Sequence, residues 1–414
     1  MVVSWRGLDR PTFWRRLWPE NGALSSLPAL DGLRGLAVVL VLIFHAWYKA
    51  PANLARTQVD LEKYALWQAH TGVHLFFVLS GFLLFLPYAR WAIGAKKGRP
   101  NTRDFYRRRI LRVGPAFWFS LAVLLAAAPL SASRLWEALL HALYVFNFFP
   151  GIGYHFNDVY WTMAVEVQFY AVLPLIGIAL HSASKRFGLA PATILLVLSC
   201  VAVSAASEWL GSRYQPLGIG WAGLVGRYSL SFFMLVFAVG IGCSVAYTYL
   251  LHAPWSAEAR RRWVNLAGTA LLVAGVVLIL VLTFVHTSSG TPLGSKLYGL
   301  AFAPAYGALL LAALIGPRPW IWLFEHPVMR FLGLISYSLY LWHTIALRIM
   351  SGPLSAFPHP WEQFVAGIGV EIVLAVPIAY FSYQLVERPF IKRPTLKLPA
   401  PRKPDAGVLQ ADSA

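Results

Sequence analysis

Ten stretches of the chain are apolar for about 18 residues each, and that property decides most of what it can fold into. They fall at roughly 33–50, 72–92, 113–130, 161–180, 190–206, 228–250, 265–285, 297–316, 331–350 and 364–385. Runs of this length cross the hydrocarbon core as helices, which satisfy every backbone polar group internally. The composition agrees, with 58% hydrophobic and only 13% charged residues. We therefore expect an all-α fold, a polytopic integral membrane helical bundle of about ten transmembrane helices, with one domain over residues 28–390.

Charge sets the orientation. The formal net charge is +18, and the basic residues lie between the apolar runs: RPTFWRR before the first, AKKGRPNTRDFYRRRILR after the second, SKR after the fourth, EARRR after the sixth, PRP after the eighth and IKRPTLKLPAPRK after the tenth. Alternating spans put every cluster on one side, so the positive-inside rule makes both termini cytoplasmic. Residues 1–27 then read as a cytoplasmic segment and 391–414 as a disordered cytoplasmic tail. The same placement speaks against nucleic acid as a partner. No cleaved signal peptide is expected, because the N-terminus lacks a short apolar region before a small-residue cleavage site. Cys200 and Cys243 both fall in apolar runs, which suggests neither a metal cluster nor a disulfide framework. The largest outer connection, SASRLWEALLHALYVFNFFPGIGYHFNDVYW, is aromatic-rich and expected to be partly interfacial or re-entrant.

Ionisable residues inside the spans are expensive, so each needs a reason. Arg34 and His45 are eleven residues apart, which leaves them within about 20° on one helix face and about 16 Å apart along it. They either line a shared cavity or serve as a topological arginine and a hydrogen-bonded structural histidine. Glu166, in WTMAVEVQFY, lies in the outer part of the fourth span at a depth where it could meet His45 and fix its tautomer. His74 begins the second span and could line the same cavity, whereas Ser80 and Gly81 read as helix-packing residues. Arg107, Arg108, Arg109 and Arg112 cover several helix faces beside the membrane, a geometry suited to phosphates as well as to topology. Tyr337, Tyr340 and His343 can bond across the bundle from the ninth span. Glu371 lies mid-span and needs a partner, and Glu387 with Arg388 reads as an interfacial anchor. His45, Glu166 and Glu371 could also form the proton relay of a permease, although the internal repeats or paired broken helices of such proteins are not evident.

Six stretches, in order, carry a resemblance: LPALDGLRGLAVVLVLIFH (28–45), GVHLFFVLSGFLL (72–84), FYRRRILRVGPAFW (105–118), WTMAVEVQFYAVLPL (161–175), FLGLISYSLYLWH (331–343) and VERPF (386–390). The chain resembles the membrane-bound acyltransferase-3 family, which O-acylates cell-surface glycans, glycolipids and some secondary metabolites. The resemblance implies a catalytic role for His45 with Arg34, a conserved acid at Glu166, and acyl-CoA docking at the basic segment around Arg107, Arg108, Arg109, Arg112 and Pro115. His74 departs from the acidic residue of many relatives. With Trp161, Tyr340 and His343 it is a candidate for lining the acceptor site. The donor implied is acetyl-CoA or another acyl-CoA, with no metal and no tightly bound cofactor. The acceptor implied is a hydroxyl-bearing carbohydrate, glycolipid, lipid-linked sugar or small secondary metabolite, a smaller one being favoured because the chain stops soon after the tenth span. Membrane lipid is the remaining expected partner, a bacterial inner membrane the expected location, and the oligomeric state is left open.

Overall fold

In the computed structural model, residues 27–49, 61–149, 152, 156–214, 228–252, 257–289 and 300–391 are described, and all regular structure among them is helical. The expected N-terminal segment and C-terminal tail lie, but for Leu27 and Ile391, outside the described residues. The helices are α1 (Pro28–Tyr48), α2 (Leu61–Gln68), α3 (Gly72–Ala92), α4 (Thr102–Ala126), α5 (Ala132–Ala142), α6 (Tyr160–Phe187), α7 (Leu189–Tyr214) and α8 (Leu230–His252). They continue with α9 (Ala257–Ser289), α10 (Phe302–Ile315), α11 (Arg318–Glu325), α12 (Pro327–Ile349), α13 (Ser351–Ser355), α14 (Pro360–Val370) and α15 (Val376–Ser382). The last segment runs on through two π turns, Glu371–Ala375 and Tyr383–Glu387.

Eight helices among the described residues are long and apolar enough to cross a membrane: α1, α3, α4, α6, α7, α8, α9 and the segment Pro360–Phe390. The other two expected spans fall on α10, only 14 residues long, and on α12, whose 23 residues include Arg330, His343 and Arg348. The third span begins earlier than its apolar run: α4 starts at Thr102, where the Asn101 side chain accepts from the Asp104 amide, so the whole arginine cluster is helical. In the long connection between α4 and α6, α5 is capped by Ser131 and is too short to span. Leu135, Trp136 and Leu139 on it are exposed.

Small residues decide which helices approach closest. A Cβ on Gly35 would collide with the Met329 carbonyl, and one on Gly333 with the carbonyl of Asp31. These two glycines bring α1 and α12 into backbone contact at the end where both helices begin, so the pair runs parallel. Gly81 on α3 meets the Phe237 carbonyl and the Gly240 Cα on α8 in the same way, as its expected packing role requires. One continuous apolar core then links α1, α3, α4, α6, α8, α10 and α12.

Candidate functional site

The parallel register of α1 and α12 builds the histidine end of the site. His45 stands ten residues beyond Gly35, and His343 ten residues beyond Gly333. Because the glycines fix the crossing at one end, the histidines arrive at the same height three turns later. His343 Nε2 lies 3.2 Å from His45 Nδ1, and the rings meet edge to face. Each Nδ1 also faces a carbonyl one turn back, Val41 O at 2.9 Å from His45 and Leu339 O at 3.1 Å from His343. His343 is fully buried and His45 partly so.

Just beyond the histidines, charges join three helix ends. Lys49, following α1, and Arg348, near the end of α12, both pair with Asp158, which precedes α6. Arg348 also donates to Phe156 O at 3.0 Å. Asn157 donates to Leu341 O at 2.9 Å and accepts from Thr344 Oγ1 at 2.7 Å. Burial works to raise the Asp158 carboxyl, but the hydrogen bond and charge of Lys49 and the charge of Arg348 outweigh it and hold it below the ordinary carboxylate range. Sequence reasoning missed this clamp. Its only linear signal is one acid in FNDVYW before a span, without the distant cations that give it meaning.

Glu166 departs from expectation. No hydrogen bond or ion pair joins it to His45 among the described residues; it accepts from Ser80 Oγ at 2.7 Å and faces the Tyr170 hydroxyl. Ser80 therefore does more than was expected of it, since it supplies a donor to a partly buried carboxylate. Arg34 and Arg109 both feel the Glu166 charge. His45 and Glu166 point into different levels, and the charge near His45 is that of Lys49 and Asp158.

The arginine cluster divides. Arg107 and Arg108 are exposed, while Arg109 and Arg112 turn inward. Arg112 pairs with Glu387, which also accepts from Ser338 Oγ at 2.9 Å. Glu387 is thus buried, not the interfacial anchor its place in VERPF suggests, because the π turn Tyr383–Glu387 rotates it inward; Arg388 stays exposed and bonds Gln384. Arg34, Arg109, Arg112, Glu166 and Glu387 so form one inner charged layer.

The remaining candidates take structural positions. The buried Tyr340 hydroxyl accepts from Thr162 Oγ1 at 2.9 Å and ties α12 to α6. Tyr337 donates to Val113 O at 2.6 Å on α4. His74 is buried between the rings of His70 and Phe233, and Trp161 stacks on Phe233. Glu371 is buried with no hydrogen-bond partner for either oxygen, so the partner expected for it is absent among the described residues. No cluster of His, Cys, Asp or Glu suited to a metal occurs among the described residues.

The site thus offers a histidine pair at one level and, at the other, an arginine layer that includes the carboxylates of Glu166 and Glu387. The model of a family described as "Acyltransferase domain" matches residues 27–380. The chain is 28% identical over 389 residues to YrhL, a candidate peptidoglycan O-acetyltransferase of Bacillus subtilis, covering 88% of this chain and 54% of that relative. It is 24% identical over 393 residues to the peptidoglycan O-acetyltransferase OatA of Listeria monocytogenes, covering 88% and 56%. A candidate O-acetyltransferase of Staphylococcus aureus is also 24% identical, with 88% and 57% covered. The chain spans a little over half the length of these curated relatives. No solved structure matches it. The bacterial relatives and the membrane-length helices make it a multi-pass protein of a bacterial inner membrane.

Proposed function

The chain belongs to the acyltransferase-3 family, and from that premise we propose that it moves an acyl group, most simply acetyl, from cytoplasmic acyl-CoA to a hydroxyl of an envelope glycan, glycolipid or lipid-linked sugar. The proposal includes ten spans, cytoplasmic termini and a transferase domain over residues 28–390. One observation carries it: the His45–His343 pair and the Arg34, Arg109 and Arg112 layer occupy different levels of one bundle.

Phosphates of the donor meet Arg107 and Arg108 at the exposed first turns of α4, and the pantetheine arm passes the inward arginines. Arg34 is about 16 Å along α1 from His45. That separation favours contact with the donor's arm over contact with an oxyanion beside the histidine. His45 takes the hydroxyl proton as the acceptor oxygen attacks the thioester carbonyl. The new carbon–oxygen bond forms, the carbon–sulfur bond breaks, and the thiolate leaves with that proton as free CoA thiol. Glu166, held by Ser80, balances the arginine layer while the anionic donor is absent.

The test is transfer of labelled acetyl from acetyl-CoA to a cell-envelope extract by the purified protein in lipid, with His45→Ala beside it. Label in an extractable glycan or glycolipid with the wild type alone supports the reading. Retained turnover in the variant removes His45 from the chemistry.

A further inference from the structure

His45 has two ring nitrogens, and base catalysis needs the one facing the acceptor to be free of hydrogen. Hydrogen-bond partners decide which one is. A backbone carbonyl only accepts, so His343 Nδ1, 3.1 Å from Leu339 O, carries a hydrogen. In a neutral ring His343 Nε2 then holds a lone pair and accepts. The atom it faces, at 3.2 Å, is His45 Nδ1, which also faces Val41 O at 2.9 Å. Both partners of His45 Nδ1 are acceptors, so that nitrogen bears the hydrogen and Nε2 is the free one. The single Nδ1 hydrogen of His45 is shared between Val41 O, the nearer acceptor, and His343 Nε2.

We propose that His343 is a positioning residue for His45, its Nε2 accepting the Nδ1 hydrogen together with the Val41 carbonyl, so that the ring is held in the tautomer and orientation whose Nε2 takes the acceptor's proton. This rests on the acyltransfer reading above and replaces the orienting role expected of Glu166. When Nε2 takes the hydroxyl proton, His45 becomes an imidazolium and its Nδ1–H a charged donor, so the bond to His343 strengthens as the reaction proceeds. The proton then leaves from the same Nε2 to the departing thiolate, and His343 neither gains nor loses one. A carboxylate in this place would hold the imidazolium more tightly; a neutral, fully buried imidazole orients the ring without fixing a charge in the membrane. The geometry is inherited from backbone contact, because Gly35 and Gly333 set the register of α1 and α12 that brings the rings together. The ionisable groups facing the pair are Lys49, at the end of α1, Asp158 with its partner Arg348, His70 before α3, and Tyr340 on α12.

The experiment uses full-length protein in lipid discs, with acetyl-CoA and the envelope acceptor, and compares His343→Leu with His343→Gln. Leucine removes the acceptor, while the glutamine amide oxygen can reach the place of Nε2. Loss of one hydrogen bond to a charged group corresponds to roughly ten- to hundredfold in kcat. H343L should lose that much with KM for acetyl-CoA within about twofold, and H343Q should recover most of it. Nitrogen-15 NMR of the wild type should show His45 protonated at Nδ1 in its neutral form. Wild-type kcat in H343L, or folded H343Q no better than folded H343L, overturns the proposal. So does a wild-type His45 protonated at Nε2, a result that needs no variant to fold. Activity in His45→Ala removes His45 from the chemistry and the role of His343 with it, and no transfer by the folded wild type overturns the acyltransfer reading itself; an inactive His45→Ala beside a fully active H343L overturns only the role of His343.

Discussion

Arg112 and Glu387 form an ion pair inside the bundle, joining the arginine helix α4 to the last membrane segment across 275 positions of sequence. Removing one partner of such a pair strands a charge away from water, at a cost of about 3–5 kcal/mol, whereas replacing both by apolar groups costs far less. We expect Glu387→Gln and Arg112→Met each to lower the unfolding temperature in detergent markedly. The double variant should be more stable than the sum of the two losses predicts. Additive losses in the thermal scans would show that the pair is not energetically coupled.

Gly333 touches no ionisable side chain in the site, yet it should matter to activity. Its missing Cβ leaves room for the Asp31 carbonyl, so Gly333→Ala forces α12 away from α1, an overpacking cost of about 1–3 kcal/mol. The displacement carries His343 away from His45. Under the acyltransfer reading kcat should fall at least tenfold, while a control at Gly352, with open space around its Cβ position, should leave turnover and unfolding unchanged. Turnover assays beside thermal scans of both variants decide this.

These two sites show where the linear pattern was informative. Hydropathy alone made the chain a helical membrane bundle, because membrane length is a local property of a run. It was weaker on α10 and α12, where a short helix or ionisable residues blur the signal. Arg34 and His45 stood out because an intramembrane charge is costly wherever it occurs. What each charge meets is a matter of helix register and rotation. The encounter of His45 with His343 required the Gly35–Gly333 crossing, and the inward turn of Glu387 required a π turn that adds one residue to the helical count. Matched depth suggested that Glu166 and His45 meet, yet depth says nothing of the direction in which a side chain points. Ser80, read as a packing residue beside Gly81, donates to Glu166.

Asp158 gives its clamp with Lys49 and Arg348 a definite pH dependence. Its folded pKa lies below the ordinary value of about 3.9. The stabilisation is therefore complete above that value and is lost as pH falls through the folded pKa. Stability in detergent should stay flat from neutral pH down to about pH 4 as far as this group is concerned, then decline. Because the clamp is partly exposed, Asp158→Asn should cost only about 1 kcal/mol at pH 7. It should also make the acid limb shallower. Unfolding temperatures at a series of pH values would show this, and parallel acid limbs in the two proteins would exclude Asp158 as their source.

The split in the arginine cluster predicts two different kinetic phenotypes. Arg107 and Arg108 are exposed on the first turns of α4, and Arg109 faces Tyr170, Arg34 and Glu166 inside the bundle. If the outer pair holds donor phosphates, Arg107→Ala with Arg108→Ala should raise KM for acyl-CoA by roughly ten- to hundredfold, the worth of charged hydrogen bonds. Acceptor KM and kcat should stay near the wild type. The wild-type KM for acyl-CoA should rise with salt, and that slope should flatten in the double variant, because exposed charges are screened. Arg109→Ala instead disturbs the layer that balances Glu166, and should lower kcat with little salt dependence. Initial rates with donor and acceptor varied separately at two ionic strengths distinguish the cases. A salt-independent KM in the wild type would place the donor's phosphates away from the exposed arginines.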